Sequence, residues 1–254
     1  MNKSEILKYS KKINGSDNDK KFFSRVWSTN ESIYLNRIKA INFKNYENVL
    51  DAGCGFGQWS FPLARINTNV FAIDYSKTRI NLCKEINQKL AYKNLYFSVG
   101  SVENINFPSS NFNAIFAYGV LMTTNWKKTI REFSRVLKKN GRLYLTANEI
   151  GWYLNILINN YNQAKGYNTK ESFTKTLINT EKFNKNENIK IKEGHIIIKI
   201  KDLILECKKN DLKLITYADE GKILLNSKIK KNKSFFKGNY YGYPGCYEII
   251  FKKL

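Results

Sequence analysis

Histidine occurs once in this 254-residue chain, cysteine four times, and arginine seven times beside 36 lysines. Long apolar runs are missing: none reaches the roughly 18 uninterrupted residues that a membrane-spanning helix needs, so no membrane span is expected. The opening stretch, MNKSEILKYSKKING, is charged and polar and lacks the apolar centre of a secretory signal. The cysteines, Cys54, Cys83, Cys207 and Cys246, lie far apart and form no CxxC pair. Free thiols in a reducing cytoplasm are therefore expected, and no metal site or disulfide framework. Acidic residues number 21 against 43 basic ones, for a formal net charge of +22.

A charge of that size raises the question of a nucleic-acid partner. Two features speak against it. Lysine, asparagine and isoleucine are abundant together and spread along the chain, as drift in an AT-rich genome would leave them. Proteins that read bases or clamp phosphates favour arginine's planar fork, and arginine is the scarce cation here. An anionic small molecule stays open as a partner. The oligomeric state is not legible.

What is present is a regular alternation. Residues 1–15 read as a loosely ordered tail. A helix follows at 17–27 with Phe22, Phe23, Val26 and Trp27 on one face. A second helix is expected to open with a capping box, Ser28 and Glu31. ENVLDAG reads as a strand, the segment after Gly57 as a helix, NVFAIDYS as a strand and 76–90 as a helix. NLYFSVG and FNAIFAYGV are strands, 125–138 is a helix ended by Gly141, and RLYLTANE is the next strand. Residues 151–194 break the rhythm as a partly helical insertion. A helix at 199–210 and the strands LKLITYAD and GCYEIIFKK complete the chain, with a lysine-rich connector between those strands. Short apolar strands alternating with amphipathic helices mean an α/β fold, a largely parallel sheet covered on both faces. At this length a single large domain is the simplest count.

In such a sheet ligands bind outside the carboxyl ends of the strands, beside the first one. There the sequence NVLDAGCGFGQWSFPLA, residues 48–64, has glycine at every second position behind an acid. A glycine turn lets the backbone touch a ligand and aims a helix N-terminus at it. A dinucleotide turn would need GxGxxG, but the sixth position from Gly53 is Gln58. The observed order is Asp51, Gly53, Gly55, Gly57. A carboxylate in front suits a cationic ligand and makes a poor neighbour for pyrophosphate.

This DxGxGxG order closely resembles motif I of the class I S-adenosylmethionine-dependent methyltransferases. The resemblance implies a Rossmann-like fold: a mostly parallel seven-stranded sheet, helices on both faces and an antiparallel last strand. It implies S-adenosyl-L-methionine as cofactor, with Asp51, Gly53, Cys54, Gly55, Gly57 and Trp59 around its amino-acid end. Asp74, which ends FAIDYS, would accept from both ribose hydroxyls, with Tyr75 beside it. The run VGSVENINFPSSNFNAIFAYGVL is similar to the family's next segment. It places Ser101, Val102 and Glu103 at the adenine and Tyr118 nearby, although Ser101 stands where the family has aspartate. REFSRVLKKNGRLYL is also recognisable. The resemblance covers about residues 45–150 well and 195–220 weakly. It implies a helical cap over 1–44 and a methyltransferase domain over 45–254, with a lid insertion at about 151–194.

Methyl transfer to oxygen usually needs a base. His195, in EGHIIIKIKDLILECKK, resembles the family's GH element after the insertion, and Glu149 at the end of a strand is the rival base. Trp27, Trp59, Tyr118 and Trp152 are candidates to wall the methyl group through their ring faces. Tyr240, Tyr241 and Tyr243 in GNYYGYPG suit sugar rings or bases. The expected function is methylation, on oxygen, of a small or carrier-linked polar acceptor, anionic or a sugar nucleotide. The pathways it points to are surface-polysaccharide or secondary-metabolite biosynthesis. Two alternatives are an RNA methyltransferase that uses the lysine excess and a non-catalytic cofactor-binding or scaffold subunit.

Overall fold

The computed structural model describes residues 3–13, 15–160, 164–187, 191 and 193–254. Its N-terminus departs from the expected loose tail. Lys3–Leu7 (α1) and a 3-10 turn at Lys8–Lys12 are anchored by Ile6 and Ile13, both buried in the core. Two isolated isoleucines in a lysine-rich stretch give little periodicity to read. Residues 1, 2 and 14 of that expected tail lie outside the described residues, as do 161–163, 188–190 and 192 of the insertion.

Asp17–Ser28 (α2) starts where the Ser16 side chain accepts from the Asp19 amide, with Asp17 and Asp19 favouring the positive helix end. Glu31–Ala40 (α3) is capped by Asn30, whose side chain accepts from the Ser32 amide at 2.9 Å. The expected capping box at Ser28 is thus corrected, because Ser28 is still the last helical residue of α2. The alternation then follows: Asn48–Ala52 (β1), Ser60–Ala64 (α4), Asn69–Asp74 (β2), Lys77–Leu90 (α5), Leu95–Val99 (β3) and Phe112–Ala117 (β4). Trp126–Val136 (α6) is followed at once by Leu137–Asn148 (β5). So Gly141 does not end the helix. It lies in an irregular stretch of β5, where the register against β4 jumps from Phe112–Leu137 to Ala114–Arg142.

Ile150–Asn159 (α7) and Thr169–Asn184 (α8) occupy the insertion, and Ile200–Lys209 (α9) leads to Leu212–Asp219 (β6). A two-stranded hairpin, Asn239–Tyr240 (β7) with Tyr243–Pro244 (β8), precedes the last strand, Cys246–Lys253 (β9). The main sheet has seven strands in the order β3-β2-β1-β4-β5-β9-β6. Pairings among β1 to β5 are parallel, and β9 runs antiparallel between β5 and β6. One core lies between the sheet and α2–α5, around Phe23, Ile38, Val49, Phe61 and Tyr144. The other lies under α6 and α9, around Leu50, Ile115, Phe133, Leu143 and Leu203. Adjacent Val49 and Leu50 enter opposite cores, as a doubly covered parallel strand requires. The strand order reverses between β1 and β4, so the crevice for a ligand falls at their carboxyl ends. No helix among the described residues is long and apolar enough to cross a membrane.

Candidate active site

The turn after β1 is held by backbone alone at its start: the Gly53 and Cys54 amides both donate to the Ile73 carbonyl, each at 2.9 Å. Gly53, Gly55 and Gly57 have φ of +73°, +57° and +79°. At Gly53 the need is absolute, since a Cβ there would sit 2.5 Å from Val120 Cγ2. The Cys54 side chain is buried, its Sγ reaching the Gly55 carbonyl at 4.0 Å.

The two acids differ in what they offer. Asp51 is 1% exposed and accepts from the Ser60 hydroxyl at 2.5 Å. It therefore lies beneath the turn, not open at its entrance, which corrects the sequence-based picture of direct access. Burial pushes its pKa up to about 7, against the Ser60 hydrogen bond and with the added repulsion of Asp74. Asp74 receives the Gly55 amide on one oxygen and the Ser76 amide on the other, both at 2.9 Å. Burial raises its pKa too, opposed by those amides and by Arg79, whose Nη1 is 3.9 Å away. Each oxygen keeps a lone pair for a further donor. Tyr75 beside it is 74% exposed.

α2 packs over this turn. Asp19 holds the Arg79 guanidinium at 2.6 and 3.2 Å, and Trp27 Nε1 donates to the Phe56 carbonyl at 3.2 Å. Trp27 therefore borders the glycine turn. The Asp19–Arg79 pair was missed in the sequence, since 60 positions separate its members and no local pattern joins them. After β3, Ser101 is exposed and Val102 buried. Glu103 accepts from the Asn125 amide at 2.9 Å, so part of its carboxylate braces the start of α6.

Trp59 does not present a free ring. It is 2% exposed, packed against Tyr34, Phe116, Tyr118 and Phe235. Tyr118 donates to Glu220 at 2.7 Å, joining a buried cluster that sequence reading also missed. There Arg37 of α3 bonds Glu220, Glu248 at 2.9 Å and Tyr144 at 3.2 Å. The Tyr144 hydroxyl donates to Glu248 at 2.7 Å, the Ile223 amide donates to Glu248, and the Phe235 and Phe236 amides donate to Glu220. This cluster ties α3 to the end of β4, to β5, to β9 and to the connector.

His195 lies between α8 and the turn after β4. Its amide donates to Thr176 of α8 at 3.0 Å, and the next amide, of Ile196, donates to the Met122 carbonyl after β4 at 2.8 Å. The ring meets Tyr153 of α7 edge to face at 5.7 Å. Burial pushes its pKa down from the ordinary value of 6.5 to about 4. Glu149 points elsewhere: its side chain accepts from the Ile200 amide at 3.1 Å and so caps α9. That occupation weakens its claim as a base. Trp152 meets Phe236 edge to face at 4.7 Å and a tilted Tyr240 ring at 5.8 Å, whereas Tyr241 and Tyr243 are about half exposed at 54% and 52%. The structure thus brings Asp51, the glycines, Asp74, Tyr75 and Trp27 together, and separately Trp152 with Tyr240.

The cradle suits a ligand with a cationic, hydrogen-bonding end: a backbone opened by three glycines, two acids, and a buried Gln58 side-chain oxygen without a partner among the described residues. A family model described as a methyltransferase domain matches residues 43–219. The chain is 27% identical over 122 residues to the uncharacterized methyltransferase YcgJ of Bacillus subtilis, a match covering 48% of each chain. It is 29% identical over 100 residues to the demethylmenaquinone methyltransferase of Lactococcus lactis, covering 38% of this chain and 40% of that one. The chain spans about half the length of the curated relatives it matches. Among solved structures, geranyl diphosphate methyltransferase in complex with SAM superposes with a TM-score of 0.60 at 15% identity, over 88% of this chain and 84% of that one. At that identity the likeness is one of fold.

Proposed function

The chain belongs to the class I S-adenosylmethionine-dependent methyltransferases, and from that membership we propose that it methylates a hydroxyl of a small or carrier-linked polar acceptor, of the surface-polysaccharide or secondary-metabolite kind. The observation that carries the reading is the glycine turn whose Gly55 amide is bonded to the carboxylate ending β2. When bound, S-adenosylmethionine supplies a methyl group on a positively charged sulfur.

The chain's own work is to bind, align, exclude water and take one proton. Asp74 and Tyr75 hold the ribose side, Ser101, Val102 and Glu103 border the base, and Asp51 supplies negative charge beneath the turn. The helices over residues 1–44 cap the cofactor side, with Trp27 against the turn. α7 and α8 form a lid over the acceptor side, where Trp152, Tyr240, Tyr241 and Tyr243 offer aromatic faces to a ring. His195 takes the hydroxyl proton. Among the described residues its ring makes no hydrogen bond, and with a pKa of about 4 it is neutral at pH 7. So weak a base removes the proton late, once the oxygen has begun to bond the methyl carbon and has become strongly acidic.

A second reading, an apolar ring as acceptor, is supported by the largely apolar α7, IGWYLNILIN, and by the Lactococcus relative's name. Turnover assays against nucleotide sugars, sugar phosphates, a demethylated quinone and bulk RNA decide. Turnover on the sugar panel alone supports the first reading, and turnover on the quinone alone installs the second. A tight, salt-tolerant RNA complex that is methylated points to RNA. Cofactor binding without any turnover points to a non-catalytic subunit.

A further inference from the structure

Gln58 closes the glycine turn, one residue before Trp59 opens α4. Its side-chain oxygen is buried and has no donor among the described residues. Buried acceptors left without a donor are rare, and each one calls for a physical explanation. This one has a telling position. It lies 3.5 Å from the point where a Cβ on Gly55 would sit, and the edge of the Phe22 ring lies 3.3 Å from the same point. The orphan oxygen and the aromatic ring of α2 therefore share the open side of the middle glycine.

The missing partner must be a donor, and a cationic one gains most. An amide oxygen bonds an ammonium more strongly than a neutral donor. Asp51, the acid expected to meet that cation, is instead buried and bonded to Ser60. Asp74 stands on the amide side of Gly55, where it accepts from the Gly55 N–H. We infer that the Gln58 oxygen receives the α-ammonium of S-adenosylmethionine, making Gln58 the residue that selects a cofactor with an intact amino-acid end. The inference rests on the cofactor reading above.

Calorimetry on the intact chain tests it with two ligands that share adenine, ribose and thioether: S-adenosylhomocysteine and 5′-methylthioadenosine, which lacks the amino-acid end. Gln58→Leu should weaken S-adenosylhomocysteine about tenfold or more and leave 5′-methylthioadenosine within about twofold of the parent. Unchanged affinity for S-adenosylhomocysteine, or equal weakening of both ligands, overturns the inference. Gln58→Glu, which keeps an oxygen in place and adds charge, should raise the preference for S-adenosylhomocysteine over 5′-methylthioadenosine. A preference that stays level overturns the inference even if the leucine variant does not fold. If the parent itself fails to bind S-adenosylhomocysteine, the cofactor reading falls first and this one with it.

Discussion

At the carboxyl ends of β1 and β2, the groups that hold the glycine turn are close neighbours in sequence. Asp51 bonds Ser60, Gly55 bonds Asp74, and Asp74 bonds Ser76, the longest step being 19 positions. Beyond β4 the design is different. Arg37 reaches Glu220 across 183 positions and Glu248 across 211, and His195 is held by segments from α7, α8 and the turn after β4. The first region is shaped by backbone conformation and can be written in one short motif. The second is assembled from side chains that only the completed fold brings together. A cofactor shared by many enzymes suits the first kind of site, and an acceptor peculiar to one enzyme suits the second.

The largest expected effect strikes the assembled region. Arg37→Met leaves Glu220 and Glu248 buried without their cation, which should cost about 3–5 kcal/mol of stability in urea unfolding. If the loss is under about 1 kcal/mol, the cluster does not hold α3, β5, β9 and the connector together and the contrast between regions fails.

Next comes His195→Ala, expected to lower kcat by about 10²–10⁴-fold while affinity for S-adenosylhomocysteine stays near the parent's. Near-full turnover would make the histidine structural. The same residue has a signature in stability. Its folded pKa of about 4 lies below its ordinary 6.5, so its contribution is present above pH 6.5 and is lost as pH falls towards 4. The parent should therefore lose more stability between pH 6.5 and 4 than His195→Ala does. Parallel pH profiles would refute the burial argument.

On the cofactor side, Asp74→Ala should weaken S-adenosylhomocysteine about tenfold or more, at about 1.5–3 kcal/mol for each charged hydrogen bond lost. Calorimetry that finds equal affinity removes Asp74 from the ribose. The smallest effect belongs to Asp51. With a pKa of about 7 it is about half protonated at neutral pH in the free chain. A cationic ligand above it favours the ionised form, so affinity for S-adenosylmethionine should fall a few-fold between pH 7.5 and 6. Asp51→Asn should flatten that slope, and an unchanged slope would assign the pH dependence elsewhere.

Most of the sheet was legible because strand and helix periods differ and each repeats over several residues. The errors fall where one residue decides a boundary. Asn30 instead of Ser28 caps α3, and α6 stops at Val136, short of Gly141, because the chain turns into β5 there. The glycines and Asp74 lie beside one another at the strand ends, joined by the Gly55 amide. Trp59 and Cys54 carry the right residue numbers for that turn, yet their side chains are buried.

Local spacing determined the α/β alternation and the glycine turn, and the family resemblance singled out the acid that ends the second strand, because each depends on residues a few positions apart and on backbone conformations that few residues tolerate. Only the tertiary structure decided that Asp51 is sealed under Ser60, that Glu149 caps a helix and that Arg37 joins two distant glutamates. It also decided that His195 packs against α7 and α8 and that the Gln58 side-chain oxygen finds no donor among the described residues. These outcomes turn on burial and on which donor arrives from a remote segment, and desolvation and long-range pairing leave no periodic trace along a chain.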